Sequence, residues 1–98
     1  MLFTIVGVDV PDSREGRKIA RPAHVKRLKK LNEEGRLVIA GPHPESEHLN
    51  EENRYTGSLI VAEFESLQAA RNWADADPYI EAGVYAEVMI KPFIKALP

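Results

Sequence analysis

The chain has 98 residues, enough for one domain over residues 1–98 with one core, and too few for two. Hydrophobic residues make up 44% and charged residues 29%, and 13 Lys+Arg against 15 Asp+Glu leave a net charge of −2. That balance disfavours both disorder and a polyanion-binding surface, and the absence of cysteine excludes disulfides, thiolate chemistry and cysteine-based zinc sites.

The opening stretch, Leu2 to Val10, is apolar and β-branched and predicts a buried strand, ended by the turn residues Pro11-Asp12-Ser13. It lacks a positive n-region and reads as a strand, not a signal peptide, and no apolar run approaches the roughly 20 residues of a membrane span. A cytoplasmic protein is expected. Residues 14–34 have helical character, interrupted by Pro22, which removes a backbone donor. Either a short helix kinks there or the main helix begins with Pro22 in its first turn. Gly35 is a C-terminal stop. Ala20, His24, Leu28 and Leu31 share one face, and Lys26, Lys29, Lys30 and Glu33 lie off it. The basic run Lys26, Arg27, Lys29 and Lys30 has no aromatic platforms and is followed by Glu33 and Glu34, so a solvated helix face is expected and no nucleic-acid partner.

Arg36 to Ala40 predicts a second strand, closed by Gly41-Pro42. Residues 43–56 are polar and acidic and read as a long loop of the kind that forms lids or binding loops. Gly57 to Phe64 predicts a third strand with Ser58, Ile60, Ala62 and Phe64 on one face. Ser66 is a candidate N-cap for a helix over 67–76, with Leu67, Ala70, Trp73 and Ala74 facing inward. Asp77-Pro78 ends it and opens a helical turn, Gly83 breaks the chain, and Val84 to Phe93 predicts the last strand.

The order β-α-β-β-α-β, folded with right-handed crossovers, gives a ferredoxin-like α+β sandwich: a four-stranded antiparallel sheet with two main helices on one face. The strands are nevertheless apolar on both parities, as in Phe3 and Ile5 against Val6 and Val8. Such strands are normally buried on both faces, so a homodimer packed through the open sheet face is expected.

Among residues that could carry chemistry, His24 is the first candidate. On the apolar stripe it is either a core histidine or a general base. A helix start at Pro22 would place it in the first turn, where the helix dipole favours a neutral ring. Asp77 is either the N-cap of the following turn or the carboxylate that orients His24. Arg21 could hold an anionic substrate group, against the alternative of a plain surface charge. Ser58 could face a pocket beside the loop, although it lacks a G-x-S-x-G nucleophile elbow, and Gly41 permits either a tight turn or close ligand approach. His43, Glu45, Glu47 and His48 could bind a divalent metal, but without H-E-x-x-H on a helix a solvated loop is the better reading, and no metal site is expected. Neither G-x-G-x-x-G nor a P-loop occurs, so no nucleotide cofactor is expected. Trp73 reads as a core anchor.

Several short stretches, in order, resemble the YciI-like family over nearly the whole chain. They are Arg21-Pro22-Ala23-His24, Glu34-Gly35-Arg36-Leu37, Ala40-Gly41-Pro42, Thr56-Gly57-Ser58, Ala62 to Leu67, Trp73 to Tyr79, Gly83-Val84-Tyr85 and Lys91-Pro92-Phe93. The resemblance implies a dimer of the α+β-barrel kind and a pocket with a His–Asp pair, here His24 and Asp77. It also suggests elimination or isomerisation of small cyclic or aromatic compounds. A small enzyme without an organic cofactor, using that pair for proton transfer, is therefore expected, with a non-catalytic dimeric small-molecule-binding or sensor module as the alternative.

Overall fold

Packing decides the path of the chain where local signals leave it open. The computed structural model describes residues 1–49 and 54–98. The elements are β1 (Leu2–Asp9), α1 (Arg14–Glu33), β2 (Leu37–Pro44), β3 (Tyr55–Glu63), α2 (Leu67–Asp75), α3 (Pro78–Glu81) and β4 (Tyr85–Phe93). The four strands form one antiparallel sheet in the order β2-β3-β1-β4. This is the ferredoxin-like arrangement that the element order predicts.

Alternation sets the two faces of the sheet. Phe3 and Ile5 of β1, with Ile60 and Ala62 of β3, turn to the helices and bury with Leu31, Phe64, Ala70 and Ala74. Each such large side chain contributes about 1.5–3 kcal/mol by leaving water. Phe64 closes one end of this core, edge-on to Phe3 at 6.3 Å and tilted against Trp73 at 5.6 Å. Trp73 is half-buried against the core. A smaller cluster of Ala20, Tyr79 and Val84 joins α1 to α3.

Three boundaries differ from the sequence expectation. First, α1 does not start at Pro22: helix precedes the proline and continues through it as one 20-residue element. Arg17 and Ala20 before the proline and His24 and Leu31 after it are all buried, so packing on both sides offsets the lost hydrogen bond while the ring stays exposed. His24 is accordingly mid-helix, and the first-turn dipole does not act on it. Second, β2 continues through Gly41-Pro42 to Pro44. It is an edge strand, where proline removes no needed donor. The expected loop over 43–56 is thereby shortened at both ends, since β3 begins at Tyr55; its residues 50–53 lie outside the described residues. Third, Leu67 is not inward but 50% exposed at the start of α2.

The end signals hold as read. Gly35 sits at φ 73, its N–H bonding Asn32 O and that of Arg36 bonding Leu31 O, a Schellman motif. Ser66 accepts from Ala69 N at 3.0 Å as the α2 cap. On the sheet face away from the helices, Val8, Ile39 and Met89 are 38%, 58% and 47% exposed. Leu31→Ala is expected to remove about 2–5 kcal/mol of stability, a fall in Tm of about 4–8 °C per kcal/mol, read by thermal denaturation.

Candidate active site

One cavity of about 270 Å³ opens between α1 and the sheet. Arg17, Arg21, His24, Val25 and Leu28 line it from α1, and Ala40, Gly41 and Pro42 from β2. Tyr55, Ser58 and Ile60 of β3 form its floor, with Tyr79 of α3 at one wall. Four residues singled out from the sequence, Arg21, His24, Gly41 and Ser58, thus share one space. The fifth, Asp77, stands behind His24.

His24 is 7% exposed and Asp77 3%. The His24 Nδ1 lies 2.9 Å from each Asp77 carboxylate oxygen. A carboxylate can only accept, so Nδ1 carries a proton, and in the neutral ring Nε2 is the nitrogen with the lone pair. The ring is stacked on Tyr79 at 3.9 Å and 14°, which fixes its plane. Asp77 is both the cap and the histidine partner in geometry: its Oδ1 also accepts from Tyr79 N at 2.9 Å at the start of α3.

Arg17 and Asp9 went unnoticed in the sequence. Arg17 Nε donates to Asp9 Oδ2 at 2.6 Å and Nη2 to Oδ1 at 3.0 Å, a forked pair with side chains only 8% and 1% exposed. Nη2 also reaches Gly57 O at 2.9 Å and Ser58 Oγ at 2.8 Å. Ser13 Oγ donates to Asp9 Oδ2 at 2.5 Å. Burial alone would lower the Arg17 pKa, but the Asp9 carboxylate outweighs it and the net shift is upward. The available signal was spacing: Arg17 lies three and seven residues before Ala20 and His24, on the same stripe.

Two further tyrosines pack beside Arg17, of which Tyr79 lines the cavity. Tyr79 lies under the Arg17 guanidinium at 5.0 Å and edge-on to Tyr85 at 5.5 Å. Burial raises the pKa of Tyr79, against the lowering effect of the Arg17 and Arg21 charges. Burial pushes Tyr85 up to about 12, against the lowering effect of the Ser58 hydroxyl. Tyr85 reaches this position through a bulge: β4 pairs Glu87 with Val8 but Tyr85 with Asp9, so one extra residue turns the ring to the helix side. Gly7 makes room for it, since a Cβ there would stand 2.5 Å from the ring.

Arg21 is exposed at the mouth, and no ion pair engages it among the described residues. A Cβ at Gly41 would meet nothing within 4 Å, so close packing is not what glycine provides there. His43, Glu45, Glu47 and His48 gather into no metal-binding cluster among the described residues. A larger groove of about 600 Å³ passes Trp73, but the two cations lining it are already paired, Met1 with Glu63 and Arg36 with Glu34.

Residues 1–94 match the YCII-related domain, and the chain belongs to that family. It is 53% identical over 97 residues to Protein YciI of Escherichia coli O6:H1, covering 97% of this chain and 98% of that protein. An uncharacterized protein of Haemophilus influenzae is 49% identical over 96 residues, with the same coverage of 97% and 98%. Among solved structures, the 5-chloro-2-hydroxyhydroquinone dehydrochlorinase of Burkholderia phenoliruptrix, in complex with 2,5-dihydroxybenzoquinone, superposes with a TM-score of 0.85. It is 26% identical, and the match covers 96% of this chain and 94% of that one.

The Tyr85 shift has a consequence for stability. In the unfolded chain the phenol ionises near its ordinary value of about 10, whereas in the fold it holds its proton to about 12. Its contribution is therefore complete below about pH 10 and is lost as pH rises toward about 12. Chemical denaturation across that window is expected to show a fall in stability that Tyr85→Phe diminishes.

Proposed function

We propose that the protein is an acid–base enzyme that eliminates a group from, or isomerises, a small ring compound carrying an enolic or phenolic oxygen. The observation that carries this reading is the contact of His24 Nδ1 with both Asp77 oxygens at the wall of a small cavity. His24 Nε2 takes a proton from the substrate, and Asp77 keeps the ring in the reactive tautomer and stabilises the imidazolium. The electron pair left behind either expels a leaving group, which departs with its own bonding pair, or accepts the proton at another atom.

The cavity supports the substrate class. Its volume of about 270 Å³ lies below the roughly 300–1,000 Å³ of sites for drug-sized ligands. Its walls alternate aromatic and aliphatic surface with a few convergent polar groups. Asp9 neutralises Arg17, so Arg21 is the lining cation left to attract a substrate anion. The similar dehydrochlorinase, crystallised with a dihydroxyquinone, supports the same chemistry.

The test uses 2,5-dihydroxybenzoquinone in D₂O, with exchange of its ring C–H protons followed by NMR. The protein is expected to accelerate the exchange. His24→Gln should lower the rate about 10²–10⁴-fold, the usual contribution of a positioned acid–base group. Asp77→Asn should also lower it, because an amide favours the wrong ring tautomer. A complex that forms equally well with His24→Gln and releases the compound unexchanged would establish the binding-module alternative instead.

The same reading includes a homodimer closed through the open sheet face, supported by the exposure of Val8, Ile39, Met89 and Phe93 there. Sedimentation is expected to show twice the mass of one chain, and Ile39→Lys with Met89→Lys is expected to give monomers. A monomeric parent protein would refute the dimer without touching the chemistry.

A further inference from the structure

We propose that Ser58 is the hydrogen-bond donor for the substrate oxygen on which charge develops when His24 takes a proton, and that Arg17 is the positioning residue that makes it one. The inference rests on the acid–base reading and adds the group opposite the base.

A hydroxyl has one proton to give and two lone pairs to fill. The Ser58 hydroxyl is buried, 4% exposed for the residue, and lines the cavity from β3. Arg17 Nη2 stands 2.8 Å from its oxygen, and an arginine can only donate, so one lone pair is filled from that side. The contacts of Ser58 Oγ leave its own proton without an acceptor among the described residues, and the residue's other boundary is the cavity.

The donor is also strengthened. Accepting from a guanidinium polarises a hydroxyl, and chains of hydrogen bonds reinforce one another away from water. Arg17 itself is committed elsewhere: Nη2 already faces Asp9 Oδ1, Gly57 O and Ser58 Oγ, and Nε faces Asp9 Oδ2. Ser58 therefore relays the polarisation of a cation whose charge Asp9 has matched. The base sits on the helix wall and the donor on the sheet wall. A ring between them, in its keto tautomer, would lose a proton from the sp3 carbon beside the carbonyl to His24 Nε2, while the C–H electron pair moves into the ring and the carbonyl π pair moves onto the oxygen held by Ser58. Donors fixed where charge develops act on the transition state more than on the ground state.

The exchange assay with 2,5-dihydroxybenzoquinone reads this directly. Ser58→Ala is expected to lower the maximal exchange rate about 10²–10³-fold, with KM little changed and the melting temperature close to the parent. Ser58→Thr, which keeps the hydroxyl, should recover most of the rate. Ser58→Cys, similar in size and weak as a donor, gives the same comparison should Ser58→Ala fold poorly. Parent-like exchange in Ser58→Ala or Ser58→Cys, alongside loss in His24→Gln, would overturn the Ser58 role and leave the acid–base reading standing. Unchanged exchange in His24→Gln, or no exchange by the parent protein, would overturn both.

Discussion

The forked ion pair between Arg17 and Asp9 ties the end of β1, the first turns of α1 and the start of β3 into one unit. Both side chains are out of water, which for isolated charges costs several kcal/mol each. The loss is offset because nearly every polar atom is matched: Asp9 accepts from Arg17 twice and from Ser13, and Arg17 also reaches Gly57 O and Ser58. Removing one partner would strand the other, at about 3–5 kcal/mol in such pairs. The guanidinium also lies near both Tyr55 and Tyr79, so the aromatic wall of the cavity takes its position from the same group.

The cavity separates its charges by purpose. His24 has Asp77 and Arg17 has Asp9, while Arg21 at the mouth has no ion-pair partner among the described residues. Arg17 is matched by Asp9 inside, and Arg21 is left as the open cation of the lining. The aliphatic lining from Val25, Leu28, Ala40 and Ile60 keeps the volume small and raises the strength of each polar contact within it.

Much of this was legible in the chain itself, and the gaps have physical reasons. Period changes delivered the order of elements, and the stripe Ala20–His24–Leu28–Leu31 aimed His24 inward. Pro22 misled because local preference argues for a break, whereas burial of Arg17 and Ala20 on one side and His24 and Leu31 on the other holds the helix through it. Gly41-Pro42 read as a stop because a strand's place in the sheet, edge or centre, is not written locally. Leu67 carries an apolar side chain at helical spacing but lies at the exposed start of α2. Arg17 carries no signal of its own in the sequence because its partner, Asp9, belongs to another element. Tyr85 depended on the bulge opposite Asp9, which reverses the face expected from strict alternation. Asp77 kept two readings open because the sequence shows a cap locally and hides a contact 53 residues away.

That double duty of Asp77 links two scales of motion. A helix of four residues has no stability of its own. α3 persists because Asp77 caps one end and Gly83, at φ 71, closes the other by directing its N–H to Ile80 O and that of Val84 to Tyr79 O. Fraying of this one turn would withdraw the carboxylate and the Tyr79 ring from His24 together, while the sheet and the core around Leu31 stayed intact. The His24–Asp77 contact thus depends on one short turn, held by hydrogen bonds within residues 77–84 and by the burial of Tyr79 and Val84 against Ala20.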